Sequence, residues 1–206
     1  TNIALITDAG TPGISDPGED LVRICYEQGI EVTSLPGAAA CITALTLSGL
    51  PTRRFSFEAF LPKEKKERAA VLEELKNDTR TLIVYEAPHH LLGTLKELQN
   101  ALGDRRLTVC RELTKKFETA FQTTFSEAIR YYEEQGVRGE CVLVIEGRSR
   151  EELVQEAQQS WEAISVEEHM EHYLSTGMDR KSAMKQVAKD LSLIHISEPT
   201  RQEAIS

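Results

Sequence analysis

No lysine or arginine occurs before Arg23, no two cysteines have the CxxC spacing, and no apolar run approaches the roughly 18 residues of a membrane span. The first absence argues against a phosphate loop, which places Gly-Lys-Ser/Thr at a helix start. The second leaves Cys25, Cys41, Cys110 and Cys141 as widely spaced, reduced core residues of an expected cytoplasmic protein. The third, with no signal-like leader, leaves membrane insertion and secretion without support. An excess of positive charge is lacking too. The net charge is −9, so there is no global attraction to nucleic acid, and any RNA binding must come from local basic patches. Two candidates exist, Arg53-Arg54 with Lys63, Lys65, Lys66 and Arg68, and Arg105-Arg106 with Arg111, Lys115 and Lys116. Each such run is more often a solvated face. His169 and His172 stand at i, i+3 without a third ligand, and no metal is expected.

What is present begins with Leu5 to Gly18. Ile3 to Ile6 reads as a buried parallel strand, Gly10 and Gly13 permit a bend that side chains would forbid, and Asp16-Pro17 reads as an N-cap followed by proline in the first helical position. A loop at the carboxyl end of a strand is the usual ligand position in an open α/β sheet. Asp8, Asp16, Glu19 and Asp20 crowd it, which disfavours phosphate and suits a neutral or cationic ligand. A tight connection that merely turns the chain is the alternative.

A helix over 18–28 is expected to bury Leu21, Val22, Ile24 and Cys25, with a strand following at Ile30 to Leu35. Pro36-Gly37 and three alanines open the next helix, which ends near Gly49. The small residues leave room for a ligand or allow close helix–sheet packing. Leu50-Pro51 reads as a linker, and a second α/β unit follows. Its strands are expected at Phe55 to Phe60, Thr81 to Tyr85, Leu107 to Cys110, an antiparallel Phe117 to Phe125, and a last one within Gly139 to Gly147. Helices are expected at Lys63 to Leu75, from His90 to about Leu102, and at Ser126 to Gln135. From Ser149 a polar helix or linker leads to a helix, a turn and a helix ending near Leu191.

The motifs Thr7-Asp-Ala-Gly-Thr-Pro-Gly-Ile-Ser-Asp-Pro-Gly18, Leu35-Pro-Gly-Ala-Ala-Ala40 with Leu47-Ser-Gly-Leu-Pro51, Tyr85-Glu-Ala-Pro-His89, Arg111-Glu-Leu-Thr114 and Arg138 to Gly147 come in one order. In that order they resemble the ribosomal RNA small-subunit methyltransferase I family, 2′-O-ribose cytidine methylases of the tetrapyrrole methylase superfamily. The resemblance implies a two-lobed α/β fold with a mixed second sheet, S-adenosylmethionine as cofactor in the cleft, small-subunit ribosomal RNA as substrate, and a homodimer. It implies cofactor contacts from Asp8, Gly10, Thr11, Pro12, Ile14, Ala39, Ala40, Tyr85, Glu86 and Glu140, with Thr11 standing where superfamily relatives have Asp. The ribose hydroxyl must lose a proton, and Glu86, His89 and Glu112 are the candidate bases. Capping or ion pairing is the alternative role for each.

Family members begin with a glycine-rich strand-turn and an acidic Glu-Asp-Thr-Arg segment, neither of which occurs here. The expected organisation is therefore a partial first domain over 1–51, a second α/β domain over 52–148, and a linker with helical tail over 149–190. Residues 191–206, His195 included, resemble a translated sequencing adapter and are expected to lie outside the natural protein. A chain so truncated is expected to fold poorly or to bind cofactor weakly. Two other readings remain open, a tetrapyrrole or corrin methylase and a cofactor-binding fragment without catalysis, whereas a phosphate or nucleotide binder is disfavoured by the charge of the loop.

Overall fold

The computed structural model describes residues 2–162 and 164–191, so the adapter-like segment beyond Leu191 lies outside the described residues. Two compact units divide the chain between Arg148 and Ser149.

The first unit is built on a five-stranded sheet in the order β1-β2-β5-β3-β4, with β1 Phe55–Phe60, β2 Thr81–Glu86, β3 Arg106–Arg111, β4 Thr119–Thr124 and β5 Cys141–Ile145. β1 and β2 are parallel, and β5 runs antiparallel to both β2 and β3. The sheet is therefore mixed. β4 pairs antiparallel with β3, as its β-prone composition led one to expect. Five helices accompany it: α1 Glu19–Glu27, α2 Ala40–Ser48, α3 Lys65–Leu75, α4 Leu91–Leu102 and α5 Phe125–Gln135, and α6 Arg150–Glu162 opens the second unit.

Side-chain alternation divides the core into two layers. Leu82, Val84, Leu107, Val109, Leu143 and Ile145 face one way, onto Leu91, Leu95 and Leu98 of α4 and Phe125 and Ala128 of α5. Ile83, Cys110, Val142 and Val144 face the other way, onto Cys41, Ala44 and Leu45 of α2. All five residues of β5 are buried, as a central strand covered on both faces requires. Helix ends follow local chemistry. Glu64 accepts a hydrogen bond from the Glu67 N–H at 2.8 Å to start α3, and Gly49 closes α2 in the left-handed region, φ 71°.

In the second unit α7 Val166–Ser175 and α8 Arg180–Asp190 follow α6. Ser165 and Glu168 form a reciprocal capping box at the start of α7. Buried His169 lies 3.2 Å from Asp190, which also accepts from the Tyr173 hydroxyl at 2.6 Å, so this histidine belongs to the contact between α7 and α8. Among the described residues no helix is long and apolar enough to cross a membrane.

The region before α2 departs from expectation. Neither Ile3 to Ile6 nor Ile30 to Leu35 is a strand, because neither finds a neighbour to complete a hydrogen-bond ladder; Ile3 is 86% and Leu35 82% exposed. α1 buries no residue, so its apolar face is open and Cys25 is half-buried rather than core. Asp16 does not cap α1. The turns at Gly13 and Ser15 (φ 80° and 61°) leave it short of the helix, and Gly18 is the N-cap without a side-chain bond.

Two outcomes follow from this packing. Leu98→Ala, at a fully buried position, should lower the unfolding free energy in urea by about 2–5 kcal/mol, whereas Ile3→Ala should change it by no more than about 0.5 kcal/mol. Asp78, mostly buried, accepts hydrogen bonds from the Arg80 guanidinium at 2.6 and 3.0 Å and from the Arg80 N–H at 2.7 Å, which hold its carboxyl below the usual range. A depressed carboxyl stabilises the fold above its unfolded value of about 3.9 and loses that contribution as pH falls through the lower folded value. The acid side of the stability profile should accordingly be shallower in Asp78→Asn, measured by urea unfolding across acidic pH.

Candidate active site

The glycine loop over 7–18 is held by its own turns and by one long-range bond. Gly10 and Gly13 take φ 79° and 80°, and the Ile14 N–H donates to the Thr11 carbonyl at 3.2 Å. The Thr11 hydroxyl donates to the Ala38 carbonyl at 2.9 Å, tying this loop to the second glycine turn. That turn must stay small, since a Cβ at Gly37 would come within 3.3 Å of Thr11 Oγ1. Pro12, Ala39 and Ala40 complete the pair of loops.

Charge around the first loop is one-sided. Arg23 is taken by Asp20 and Glu27 at 2.8 and 2.9 Å, and no ion pair joins Asp8, Asp16 or Glu19 to a cation among the described residues. The loop thus keeps uncompensated carboxylates beside exposed backbone. This donor set fits a ligand with a positive centre and not a phosphate.

Tyr85 links the loops to the sheet. Its position at the end of β2 points it to the α2 face, where its hydroxyl accepts from the Cys41 N–H at 2.9 Å. Phe57 and Phe60 hold the ring edge-on, with centroids at 5.0 and 5.7 Å. Burial first, then the neighbouring Cys41 and the Asp16 carboxylate, push the phenol well above its ordinary range. Tyr85 therefore stays protonated at neutral pH and keeps a hydroxyl hydrogen to donate. Thr11 thus reaches the second turn, and Tyr85 reaches the start of α2 that follows it; Asp8, Gly10, Pro12 and Ile14 lie on the same loop as Thr11, and Ala39 and Ala40 lie at the start of α2.

The remaining candidates follow the same end of the sheet. Glu86 points to the α4 face and is buried; it accepts from the Ala87 N–H at 2.8 Å and from the Thr94 hydroxyl at 2.6 Å. Thr94 in turn accepts from Arg68 at 2.8 Å, so Glu86 anchors the start of α4. His89 and His90 are exposed at the same helix start, their rings 4.1 Å apart. Glu112, in the left-handed region at φ 50°, accepts from the Glu140 N–H at 3.0 Å and from Lys115 at 3.3 Å. Those bonds hold its carboxyl below the usual range, and Lys115 also reaches Glu140 at 2.9 Å. A Cβ at Gly139 would collide with the Glu112 carboxylate. Glu112, just after β3, and Glu140, just before β5, therefore meet each other.

Sequence reasoning missed three features. Phe60 as a wall for Tyr85 was signalled only by its place at the end of β1. The bond from Thr94 to Glu86 had no signal. Arg111, counted only within a basic cluster, has a buried Nε without a hydrogen-bond partner beside Cys141 and Tyr132. The fold also splits both basic clusters. Lys63, Lys65 and Lys66 follow β1 and Lys115 and Lys116 follow β3, at the end of the sheet that carries Tyr85, whereas Arg53, Arg54, Arg105 and Arg106 lie at the opposite end. There Arg106 pairs with Glu146, and Arg105 donates to the Lys76 carbonyl at 2.6 Å. No group of three metal-ligating side chains occurs among the described residues.

Comparison with known proteins gives the family. Residues 1–129 match the family model described as Tetrapyrrole (Corrin/Porphyrin) Methylases. The chain is 46% identical over 188 residues to a Halalkalibacterium halodurans protein named ribosomal RNA small subunit methyltransferase I, covering 91% of this chain and 64% of that one. Proteins of the same name from Bacillus subtilis (48% over 189 residues, covering 92% and 64%) and Synechocystis (45% over 193 residues, covering 93% and 67%) are similar. The chain thus spans roughly two thirds of the length of these relatives. Among solved structures, a cobalt precorrin-4 methyltransferase of cobalamin biosynthesis and the methyltransferase CobJ superpose with TM-score 0.51, at 17% and 20% identity. Each match covers 66% of this chain and 61% of the other, and the likeness shows the fold alone.

The thiols around the site differ in accessibility. Burial pushes Cys110 up to about 11 and Cys141 up to about 12, and Cys41 is buried, while Cys25 is half-buried on α1. Titration with a chromogenic disulfide reagent at mildly alkaline pH should therefore modify Cys25 in the folded chain and the other three only after denaturant is added.

Proposed function

Because the chain belongs to the tetrapyrrole methylase family, we propose that the protein is an S-adenosylmethionine-dependent methyltransferase acting on a cytidine ribose 2′-hydroxyl of small-subunit ribosomal RNA. The observation that carries the reading is the cation-free, carboxylate-rich glycine loop tied through Thr11 to a second small-residue turn beside Tyr85. Similarity to proteins named ribosomal RNA small subunit methyltransferase I supports the substrate class. A homodimer in the cytoplasm belongs to the same reading.

When bound, the cofactor supplies a sulfonium methyl group as the electrophile. The carboxylates of Asp8 and Asp16 offset its positive charge, and the backbone of Gly10 to Ile14 and of Ala39 and Ala40 provides close contact without side-chain bulk. Neutral Tyr85, walled by Phe57 and Phe60, donates a hydrogen bond and narrows access for water. Glu86 and Glu112 already have their carboxylates engaged, so His89, exposed at the same end of the sheet, is the residue we assign to take the ribose proton. Lys63, Lys65, Lys66, Lys116 and Arg138 share that end and suit a phosphate backbone in a chain that otherwise repels one.

Incubation with methyl-labelled S-adenosylmethionine and either unmodified small ribosomal subunits or uroporphyrinogen tests this. Label should enter ribose in the ribosomal RNA, and His89→Ala should slow transfer by about 10²–10⁴-fold while calorimetric binding of S-adenosylhomocysteine is retained. Label in uroporphyrinogen alone would overturn the substrate assignment. Cofactor binding with no transfer to either acceptor would favour a binding module.

A further inference from the structure

α8 is electrostatically wrong for a helix that only has to be stable. Its inner side is fixed by buried Ala183 and Val187 and by Gln186, which donates to Asp190 at 2.9 Å. Opposite that side Lys181, Lys185 and Lys189 form an exposed column at i, i+4, i+8, with successive Cα atoms about 6 Å apart along the axis. The residue four before Lys185 is Lys181, and the residue four before Lys189 is Lys185. Both are like-charge pairs, which destabilise a helix. Arg180 and Lys181 also lie in the first turn, where the helix dipole disfavours cations. The carboxylate there, Asp179, is used as the N-cap for the Lys181 and Ser182 N–H groups.

Only the helix dipole at Lys189, in the last turn, works the other way, and no ion pair engages Lys181, Lys185 or Lys189 among the described residues. Carboxylates are plentiful in the same unit, but Glu151 and Glu152 of α6 and Glu167, Glu168 and Glu171 of α7 lie on other helices. A column of unpaired cations set on one helix of an otherwise acidic unit becomes favourable once a polyanion lies along it and its counterions are released. We propose that Lys181, Lys185 and Lys189 bind the phosphate backbone of the RNA substrate, independently of sequence. This rests on the ribosomal RNA reading above.

Anisotropy titration of a fluorescent single-stranded RNA of mixed sequence over a KCl series tests it, comparing the whole chain with Lys181→Gln/Lys185→Gln/Lys189→Gln. The variant should bind more weakly, with the slope of log affinity against log salt reduced by about 2, that is about 0.7 per lysine removed. Glutamine is nearly as good a helix former as lysine, so helical circular dichroism should be kept; should the triple variant lose it, Lys185→Gln alone should still reduce the slope by about 0.7. S-adenosylhomocysteine binding should not change. An unchanged slope, or no RNA binding by the parent chain, overturns the proposal, as does an unchanged slope accompanied by lost sedimentation with phosphatidylserine vesicles, which would point to a membrane surface. Methyl transfer to ribosomal RNA with an unchanged slope removes the lysine column and leaves the enzymatic reading intact. A reduced slope with label entering only uroporphyrinogen does the reverse.

Discussion

The alternation of β2 organises the first unit. This strand is buried on both sides, so adjacent residues are committed to different layers: Leu82 and Val84 to α4 and α5, Ile83 and Tyr85 to α2. The same rule, carried to the strand's last two positions, separates Tyr85 from Glu86. Tyr85 reaches the start of α2 and through it the two glycine turns, while Glu86 turns inward to Thr94. Two neighbours in a short motif thus have unrelated tasks. A one-residue slip in register would exchange them, burying a phenol under α4 and presenting a carboxylate to the loop.

The strands and most helices were legible because two-sided burial leaves a plain mark, a short apolar run bounded by turn residues, as in Thr81 to Tyr85 and in Cys141 to Ile145. The same mark misled at Ile3 to Ile6 and Ile30 to Leu35. An apolar run states what a segment would bury, but a strand also needs a neighbour to pair with, and neither run has one. Asp16-Pro17 failed for a local reason, since three positive-φ residues, Gly13, Ser15 and Gly18, move the helix start beyond Asp16. At the candidate site the glycine loop and its small-residue partner were legible as motifs. The bond that joins them, from Thr11 to Ala38, spans 27 residues and has no local signature. The sheet end shared by Lys63 and Lys116 was equally hidden, because strand order, not spacing, brings them together.

Electrostatics adds a second level of order to the same fold. A net charge of −9 conceals strong segregation. Carboxylates gather at the glycine loop, lysines at the carboxyl rim of the sheet and along α8, and several arginines are spent on structure, as with Arg68 on Glu97, Arg80 on Asp78 and Arg106 on Glu146. Spent charges matter as much as free ones. They show which basic residues support folding, and by subtraction which remain to meet a partner.

That subtraction also bears on the chemistry. A group that must accept a proton during catalysis has to be open to substrate before the reaction begins. Glu86 fails this condition because releasing it would break its bond with Thr94 and unseat the start of α4, and Glu112 fails because its carboxylate holds the Glu140 backbone and Lys115 in a strained turn. Both motifs look catalytic in sequence because acidic residues at strand ends invite that reading, yet in each case the acid serves the loop that follows the strand. In the proposed reaction His89 meets the condition through its exposure, and Tyr85, whose phenol burial pushes further up from its ordinary range, is assigned to orient rather than to exchange protons. On the proposed reading the acidic loop manages charge, the sheet end manages geometry, and His89, exposed beside His90, is the imidazole assigned to carry the proton.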